Sequence, residues 1–295
     1  MGGLENFVFL ALQAIISGVL VGGVYGILSV GFSLAFGVMR IINFAHGELV
    51  MYGMFAGVVA SKNFGIDPLV ILPLSFLLTA AIGIAQYQIV FRHFVGQATL
   101  QQLLAAIGCA LVMQMIAQII FGADARTATS AFSGKYAVIG PFFFSQAQIV
   151  AFVIAVLATI AVAVLLNVSA WGKAIRAVAD NVEAAEIVGV NSSVINIGAF
   201  GLAAGLAGLA GTVLVTYYPV TPVVGFSLMP IIIIATTVGG LGSIGGTFIG
   251  GLCCGVIQQI TAMLWNPSLQ DVPLYALLLL FIALRPTGLF GSRTE

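Results

Sequence analysis

The sequence predicts an all-α integral membrane protein, a polytopic bundle of about eight to ten transmembrane helices. Of its 295 residues, 61% are hydrophobic and only 6% are charged, whereas a soluble domain carries about 25% charged residues. The apolar residues also form long runs, and a helix of about 20 such residues crosses the hydrocarbon of a bilayer. Because the composition does not shift along the chain, we expect one transmembrane domain over residues 1–295.

Nine apolar segments are read as membrane spans, with boundaries uncertain by several residues. The sequence leaves open whether the first is broken and whether the region 227–264 is re-entrant. The nine segments are 7–36, 44–60, 69–91, 100–121, 146–167, 194–216, 227–241, 246–264 and 273–285.

Alternation along these spans predicts an N-terminus outside the cell, a cytoplasmic C-terminus and a large external loop over about 122–145. Three basic residues, Lys62, Arg126 and Lys135, then lie outside. The remaining basic residues counted lie inside: Arg40, Arg92, Lys173, Arg176, Arg285 and Arg293. This excess follows the positive-inside rule. The net charge of zero argues against a nucleic-acid partner.

One polar segment, about 169–193, carries five of the 9 basic and 9 acidic residues. Charged residues recur there at three- and four-residue steps, and apolar residues do the same on another face, which predicts one short amphipathic helix. The apolar face predicted to be buried consists of Ile175, Val178, Val182 and Ala185. Gly172 precedes the helix and Gly189 follows it, as suits a helix that ends at glycine. The segment is either a solvated surface helix or a docking element for a partner in the cytoplasm.

A second polar group, Asn43, His46 and Glu48, begins the second span. Asn43 is a candidate N-cap, and a carboxylate in the first turn is favoured by the helix dipole. Alternatively these groups line or gate a translocation path, since ionisable groups at membrane depth tend to be functional. His46 and Glu48 are two residues apart and do not share a helix face, which argues against a metal site or acid–base pair made from them alone.

Two further sets of residues have both a structural and a functional interpretation. Gln114 and Gln118 share a helix face and either line a path or hydrogen-bond across helices. The glycines Gly239, Gly240, Gly242 and Gly246 predict a helix break and close helix packing. They do not form a phosphate-binding loop, because no Gly-x-x-x-x-Gly-Lys-Ser/Thr pattern occurs in the chain. The sequence also predicts no metal site.

Four motifs together resemble a known family. They are Gly37-Val-Met-Arg-Ile-Ile-Asn-Phe-Ala-His-Gly-Glu48, the segment from Gly172 to Val190, the glycine-rich stretch Gly239 to Gly251, and Arg285-Pro-Thr-Gly-Leu-Phe-Gly291. In this order and approximate spacing they are similar to the permeases of branched-chain amino-acid ABC importers of the LivH/LivM type, and more to the LivH-like member. The resemblance runs from about residue 18 to 291, and the segments 87–101 and 122–145 carry none of its motifs.

The resemblance implies a transport subunit of the bacterial inner membrane, without an ATPase site or cofactor of its own. ATP would be bound by two ABC ATPase subunits that dock on a coupling helix in segment 169–193. The partners would also include a second permease subunit, either a related LivM-like chain or a copy, and an extracytoplasmic solute-binding protein. The coupling residues implied are Gly172, Arg176, Ala177, Asn181, Ala184, Ala185 and Gly189.

The cargo implied is a branched-chain amino acid or a related small solute such as an amide or urea. Two other functional classes remain. An ion-coupled transporter or a channel for small solutes is the alternative, with Glu48 and His46 as its titratable groups. An intramembrane enzyme is disfavoured, because no spacing of His, Cys, Asp and Glu provides a nucleophile with a base.

Overall fold

The computed structural model describes residues 2–284 and 288–290. These residues form 76% helix and one antiparallel β-hairpin, so the predicted all-α polytopic architecture is confirmed. In chain order the elements are α1 (Gly2–Met39), α2 (His46–Phe64), α3 (Leu72–Ile89), α4 (Thr99–Phe121), β1 (Tyr136–Ile139), β2 (Phe142–Ser145), α5 (Gln146–Val168), α6 (Ala170–Asp180), α7 (Val182–Ile187), α8 (Ser192–Leu214), α9 (Val224–Gly239), α10 (Ile244–Leu264) and α11 (Val272–Leu284). Single 3₁₀ turns stand at Phe91–His93 and Pro267–Leu269.

Every predicted span overlaps one helix, but the helices are not equivalent. Seven helical segments in the described part of the chain are long and apolar enough to cross a membrane, and α2 and α9 are not among them. Helix α9 has only 16 residues, and α2 is diluted by polar residues at both ends. The predicted span 273–285 ends at Leu284 in α11. Arg285, Arg293 and part of the C-terminal motif lie outside the described residues.

Glycines join the central helices. Helix α1 crosses α10 where a Cβ on Gly22 would meet the Gly251 carbonyl at 2.8 Å and a Cβ on Gly255 would meet the Gly18 carbonyl at 2.3 Å. Helix α8 packs on α2 in the same way, since a Cβ on Gly53 would lie 2.2 Å from the Gly208 carbonyl. Close backbone approach is the main way in which helices associate in lipid, where apolar burial provides no driving force.

The connections on the predicted external side are fastened to one another. The carboxylate of Asp67, between α2 and α3, accepts hydrogen bonds from the Ser130 hydroxyl at 2.9 Å and from the Ala131 backbone N–H at 2.7 Å. The Leu69 N–H also bonds to it at 2.9 Å. Burial alone would raise the pKa of Asp67, but these hydrogen bonds outweigh it and lower the pKa below its usual range.

The β-hairpin lies beside the first part of α1. Phe142 stacks on Phe9 with ring centroids 4.8 Å apart, and the Gln13 side chain donates to the Phe143 carbonyl. The pairs Tyr136–Ser145 and Val138–Phe143 lie on the opposite face of the hairpin, where Tyr136, Val138 and Phe143 are exposed. The hairpin therefore fills part of the predicted external loop with ordered structure.

Candidate functional site

Helices α2 and α9 begin at the same place, deep in the fold. Nε2 of His46 lies 3.1 Å from the carbonyl oxygen of Leu28, which is eleven residues before the end of α1 at Met39 and therefore about 16 Å along the helix from it. A Cβ on Gly47 would lie 2.1 Å from the carbonyl oxygen of Gly225. Strict alternation of nine full spans would put these two helix starts on opposite sides of the membrane. The contact therefore shows that α2 and α9 are not both full spans in strict alternation, and we call it the interior junction.

Asn43 was a candidate N-cap of α2, but in the structure it does not occupy that position. The N-cap is Ala45, which has no side-chain cap bond. The Asn43 side chain instead accepts from the Ala45 N–H at 3.0 Å, and its backbone carbonyl accepts from the His46 N–H at 3.1 Å. These two bonds stabilise the turn before the helix, where the chain reverses direction and returns to the interior junction.

His46 and Glu48 face different helices, in agreement with their two-residue spacing. His46 contacts α1, where its ring meets Phe32 edge-on at 5.7 Å. Glu48 contacts α9, where a Cβ on Gly225 would lie 2.7 Å from Oε2. Glu48 is only 1% exposed, and neither of its carboxylate oxygens has a hydrogen-bond partner in the described structure. The described residues hold no cluster of His, Cys, Asp and Glu that could bind a metal ion.

A cavity of about 880 Å³ lies between α1, α5, α6 and the turn that joins α9 to α10. Its lining includes Ser33, Arg40, Arg176, Asp180, Gly242 and Ser243. Ser33 accepts a hydrogen bond from the Gly242 N–H at 2.9 Å, and its neighbour Phe32 touches His46. The cavity lining therefore joins the polar segment 169–193 to Ser33, the residue next to the one that contacts His46.

The polar segment forms two helices rather than the single predicted one. Asn181 has φ −155° and ψ 108°, which ends α6, and its side chain accepts from the Ala184 N–H at 2.9 Å to start α7. This local bond competes with helix continuation, as asparagine commonly does. Ile175, Val178 and Ala185 are buried as expected, whereas Val182 is exposed.

The predicted coupling residues divide into buried and exposed groups. A Cβ on Gly172 would lie 2.2 Å from the Leu166 carbonyl, so this glycine seats α6 on α5. Ala185 is 3% exposed and Ala177 is half-buried. Arg176 is exposed, but its guanidinium donates to the Leu166 carbonyl at the end of α5. The group fully available at the surface is Asn181, Ala184 and Gly189.

Two surface residues of this segment were missed from the sequence. Ile187 is 86% exposed and Val188 is 76% exposed, at the tip formed by α7. The sequence did contain a sign of them, because they form an apolar pair between Glu186 and Gly189 in an otherwise polar stretch. Two adjacent large apolar side chains, exposed between polar neighbours, form a candidate contact surface.

The remaining predicted residues are distributed over other parts of the fold. On α4, Gln114 is half-buried and Gln118 is exposed, and among the described residues neither side chain forms a hydrogen bond with the interior junction. Gly239 ends α9, and Gly240 and Gly242 have φ of 101° and 85°, values that favour glycine. A Cβ on Gly246 would lie 2.3 Å from the Gly239 carbonyl. These glycines thus break the helix and pack α9 against α10.

Residues 14–282 match the family model described as branched-chain amino acid transport system / permease component. The chain is 29% identical to the high-affinity branched-chain amino acid transport system permease protein LivH of Salmonella typhimurium, over 97% of each chain. It is also 29% identical to BraD of Pseudomonas aeruginosa, over 95% of each chain. The fold resembles the solved structure titled PsaBC from Streptococcus pneumoniae in complex with Fab, with a TM-score of 0.51, 12% identity and coverage of 92% and 91% of the two chains. This chain therefore belongs to the family of branched-chain amino acid transport system permease components.

Proposed function

We propose that this chain carries branched-chain amino acids, or related small solutes such as amides or urea, through the cytoplasmic membrane as the permease subunit of an ATP-binding-cassette importer. Two separate ATPase subunits bind ATP and supply the energy, so this chain needs no cofactor. A second permease subunit, a LivM-like chain or a copy, completes the pathway, and a solute-binding protein delivers cargo outside. The N-terminus lies outside and the C-terminus in the cytoplasm.

The surface tip of α7 is the observation that supports ATPase docking. Ile187 and Val188 project from a segment whose polar side chains face water, and burying one isoleucine in a partner's groove contributes about 1.5–3 kcal/mol. The contacts of Gly172 and Arg176 with the Leu166 carbonyl fasten α6 to the end of α5. Force applied at α7 would then be transmitted to the wall of the 880 Å³ cavity.

The translocation path proposed here uses this cavity and the interior junction. Cargo would pass the start of α2, with Asn43, His46 and Glu48, and leave through the cavity beside Ser33 and Arg40. Gln114 and Gln118 on α4 stay candidates for a lining role in a different state of the transporter. Helix α4 is mostly exposed in this state.

The test is uptake of labelled leucine by proteoliposomes that contain the chain with its ATPase, permease and binding-protein partners. We expect concentrative uptake only with ATP. Ile187→Ser should reduce uptake and co-purification of the ATPase by more than about tenfold, the loss expected from one buried apolar anchor. Ile66→Ser, a matched change of an exposed isoleucine between α2 and α3, is the control.

The ion-coupled alternative gives the opposite result in the same assay. The chain reconstituted alone would then accumulate solute under a sodium or proton gradient, without ATP or a binding protein. Such accumulation would contradict the proposed function, and normal ATPase recovery with Ile187→Ser would contradict the docking surface.

A further inference from the structure

The carboxylate of Glu48 is the most unusual polar group in the interior. It is 1% exposed on a helix surrounded by apolar residues, and both of its oxygens are unsatisfied by the described protein. A buried polar group is normally hydrogen-bonded, because leaving it unpaired costs about 1–3 kcal/mol and more when it is charged. The protein therefore maintains an acceptor at the interior junction that its own groups do not use.

The groups around Glu48 are occupied elsewhere. Tyr52, one turn further along α2, donates its hydroxyl to the Met113 carbonyl at 3.1 Å. His46 is engaged by the Leu28 carbonyl. On the α9 side stands Gly225, which has no side chain to offer. Glu48 thus faces the backbone at the start of α9 rather than a donor side chain.

The backbone N–H next to Glu48, that of Gly47, lacks a strong acceptor. The Gly47 N–H donates to the thioether sulfur of Met229 at 3.3 Å, and a thioether is a weak acceptor. The Gly47 N–H lies at the N-terminus of α2, where the helix dipole favours an anion. One unsatisfied carboxylate and one weakly satisfied N–H therefore belong to adjacent residues.

We propose that this pair is the recognition site for the charged end of an α-amino acid. Glu48 accepts hydrogen bonds from the ammonium group of the cargo, and the Gly47 N–H, released from Met229, donates to its carboxylate. Gly47 and Gly225 leave no side chain between the two helix ends, so cargo reaches both groups when these ends separate. The inference rests on the proposed function and deepens it, since it selects zwitterionic amino acids over amides and urea.

The first test uses the unmutated complex of permease, partners and ATPases, without the binding protein so that its own selectivity does not interfere. Four probes compete with labelled leucine for the complex: leucine, 3-methylbutylamine, 4-methylpentanoate and urea. We expect leucine to bind most tightly. The amine should bind more weakly, and 4-methylpentanoate and urea should each bind at least about tenfold more weakly than leucine, the loss expected for one charge-assisted hydrogen bond. Equal binding of leucine and 4-methylpentanoate would overturn the proposal.

The second test compares Glu48→Gln with Glu5→Gln, which changes an exposed carboxylate near the start of α1. Glu48→Gln should lower leucine uptake at least about tenfold while the ATPase still co-purifies and hydrolyses ATP. Glu5→Gln should transport normally. Normal leucine uptake by Glu48→Gln would also overturn the proposal.

The experiments distinguish failure of the proposed function from failure of the Glu48 site. If the unmutated complex, supplied with its binding protein, shows no ATP-dependent uptake of any of these solutes, the proposed function itself fails. If uptake is normal and only the preference for the ammonium group is missing, the Glu48 site fails while the transporter assignment stands. If Glu48→Gln does not reach the membrane, the competition series on the unmutated complex decides.

Discussion

Helices α8 and α4 each have 23 residues and similar mean hydropathy in their apolar windows, 1.8 and 2.2. Yet 78% of the window is buried in α8 and only 22% in α4. The difference lies in side-chain size, because α8 presents small residues on most of its surface. Helix α4 presents one narrow buried stripe, consisting of Gln102, Ala106, Ala110, Met113 and Ala117. In a membrane, therefore, side-chain size decides which apolar helix becomes the centre of the bundle.

The largest effect is expected where two backbones touch. Gly53→Leu would force a side chain into the Gly208 carbonyl, 2.2 Å from the new Cβ, and we expect about 3 kcal/mol or more of destabilisation. The measurement is the thermal unfolding midpoint in detergent and the yield of monodisperse protein. Gly108→Leu on α4 is the control, because nothing lies within 4 Å of its Cβ position. Equal losses for both variants would refute the role of close packing.

A smaller effect is expected when the same substitution, leucine to alanine, is made in each of the two helices. Leu206 on α8 is 2% exposed and Leu104 on α4 is 62% exposed. Leu206→Ala should cost about 2 kcal/mol, because it leaves a cavity that neighbours only partly fill. Leu104→Ala should stay within about 0.5 kcal/mol. Comparable midpoints in denaturant unfolding would show that α4 is buried by a partner subunit in the sample.

The smallest effect concerns Asp67 on the external side. Its pKa is lowered in the folded protein, so the stabilisation is complete above the ordinary Asp pKa of about 3.9 and is lost as pH falls through the lower folded value. The protection factor of the Ala131 N–H, the intrinsic exchange rate divided by the observed rate at the same pH, should therefore fall in acid, and Asp67→Asn should weaken protection by about 1 kcal/mol at neutral pH. Asp124→Asn serves as the control. Protection of Ala131 that does not change with pH would argue against this anchor.

The polar segment shows how far the sequence could be interpreted correctly. The buried positions Ile175, Val178 and Ala185 follow from helical spacing, because a helix repeats every 3.6 residues whatever surrounds it. The division at Asn181 was not predicted, since it depends on whether the side chain bonds to the Ala184 N–H or leaves the backbone to continue the helix. The exposure of Ile187 and Val188 was not predicted either, because a short apolar pair in a sequence does not show whether its side chains are buried or exposed.

The glycine-rich break at residues 239–246 was also predictable, because glycine permits the positive φ values found there. The interior junction was not predictable from the sequence. It joins Gly47 to Gly225 across the chain, and neither residue has a side chain whose polarity could indicate the contact. The sequence left open whether the region 227–264 is re-entrant, but it gave no sign that α2 also begins there, because hydropathy measures the composition of a segment and not the depth at which its helix begins.

Composition by itself determined that this chain is a helical membrane protein, since few charges and long apolar runs permit no other solvent than lipid. The four motifs in their order added a resemblance to the branched-chain amino acid permeases, and the family match over residues 14–282 shows that the chain belongs to that family. The tertiary structure alone decided which helices are central, that α2 and α9 start together inside the bundle, and that Glu48 is enclosed there with no hydrogen-bond partner among the described residues. These features depend on contacts between residues far apart in the chain. Their energies arise from backbone approach and shape, and the local pattern of apolar and polar residues records neither.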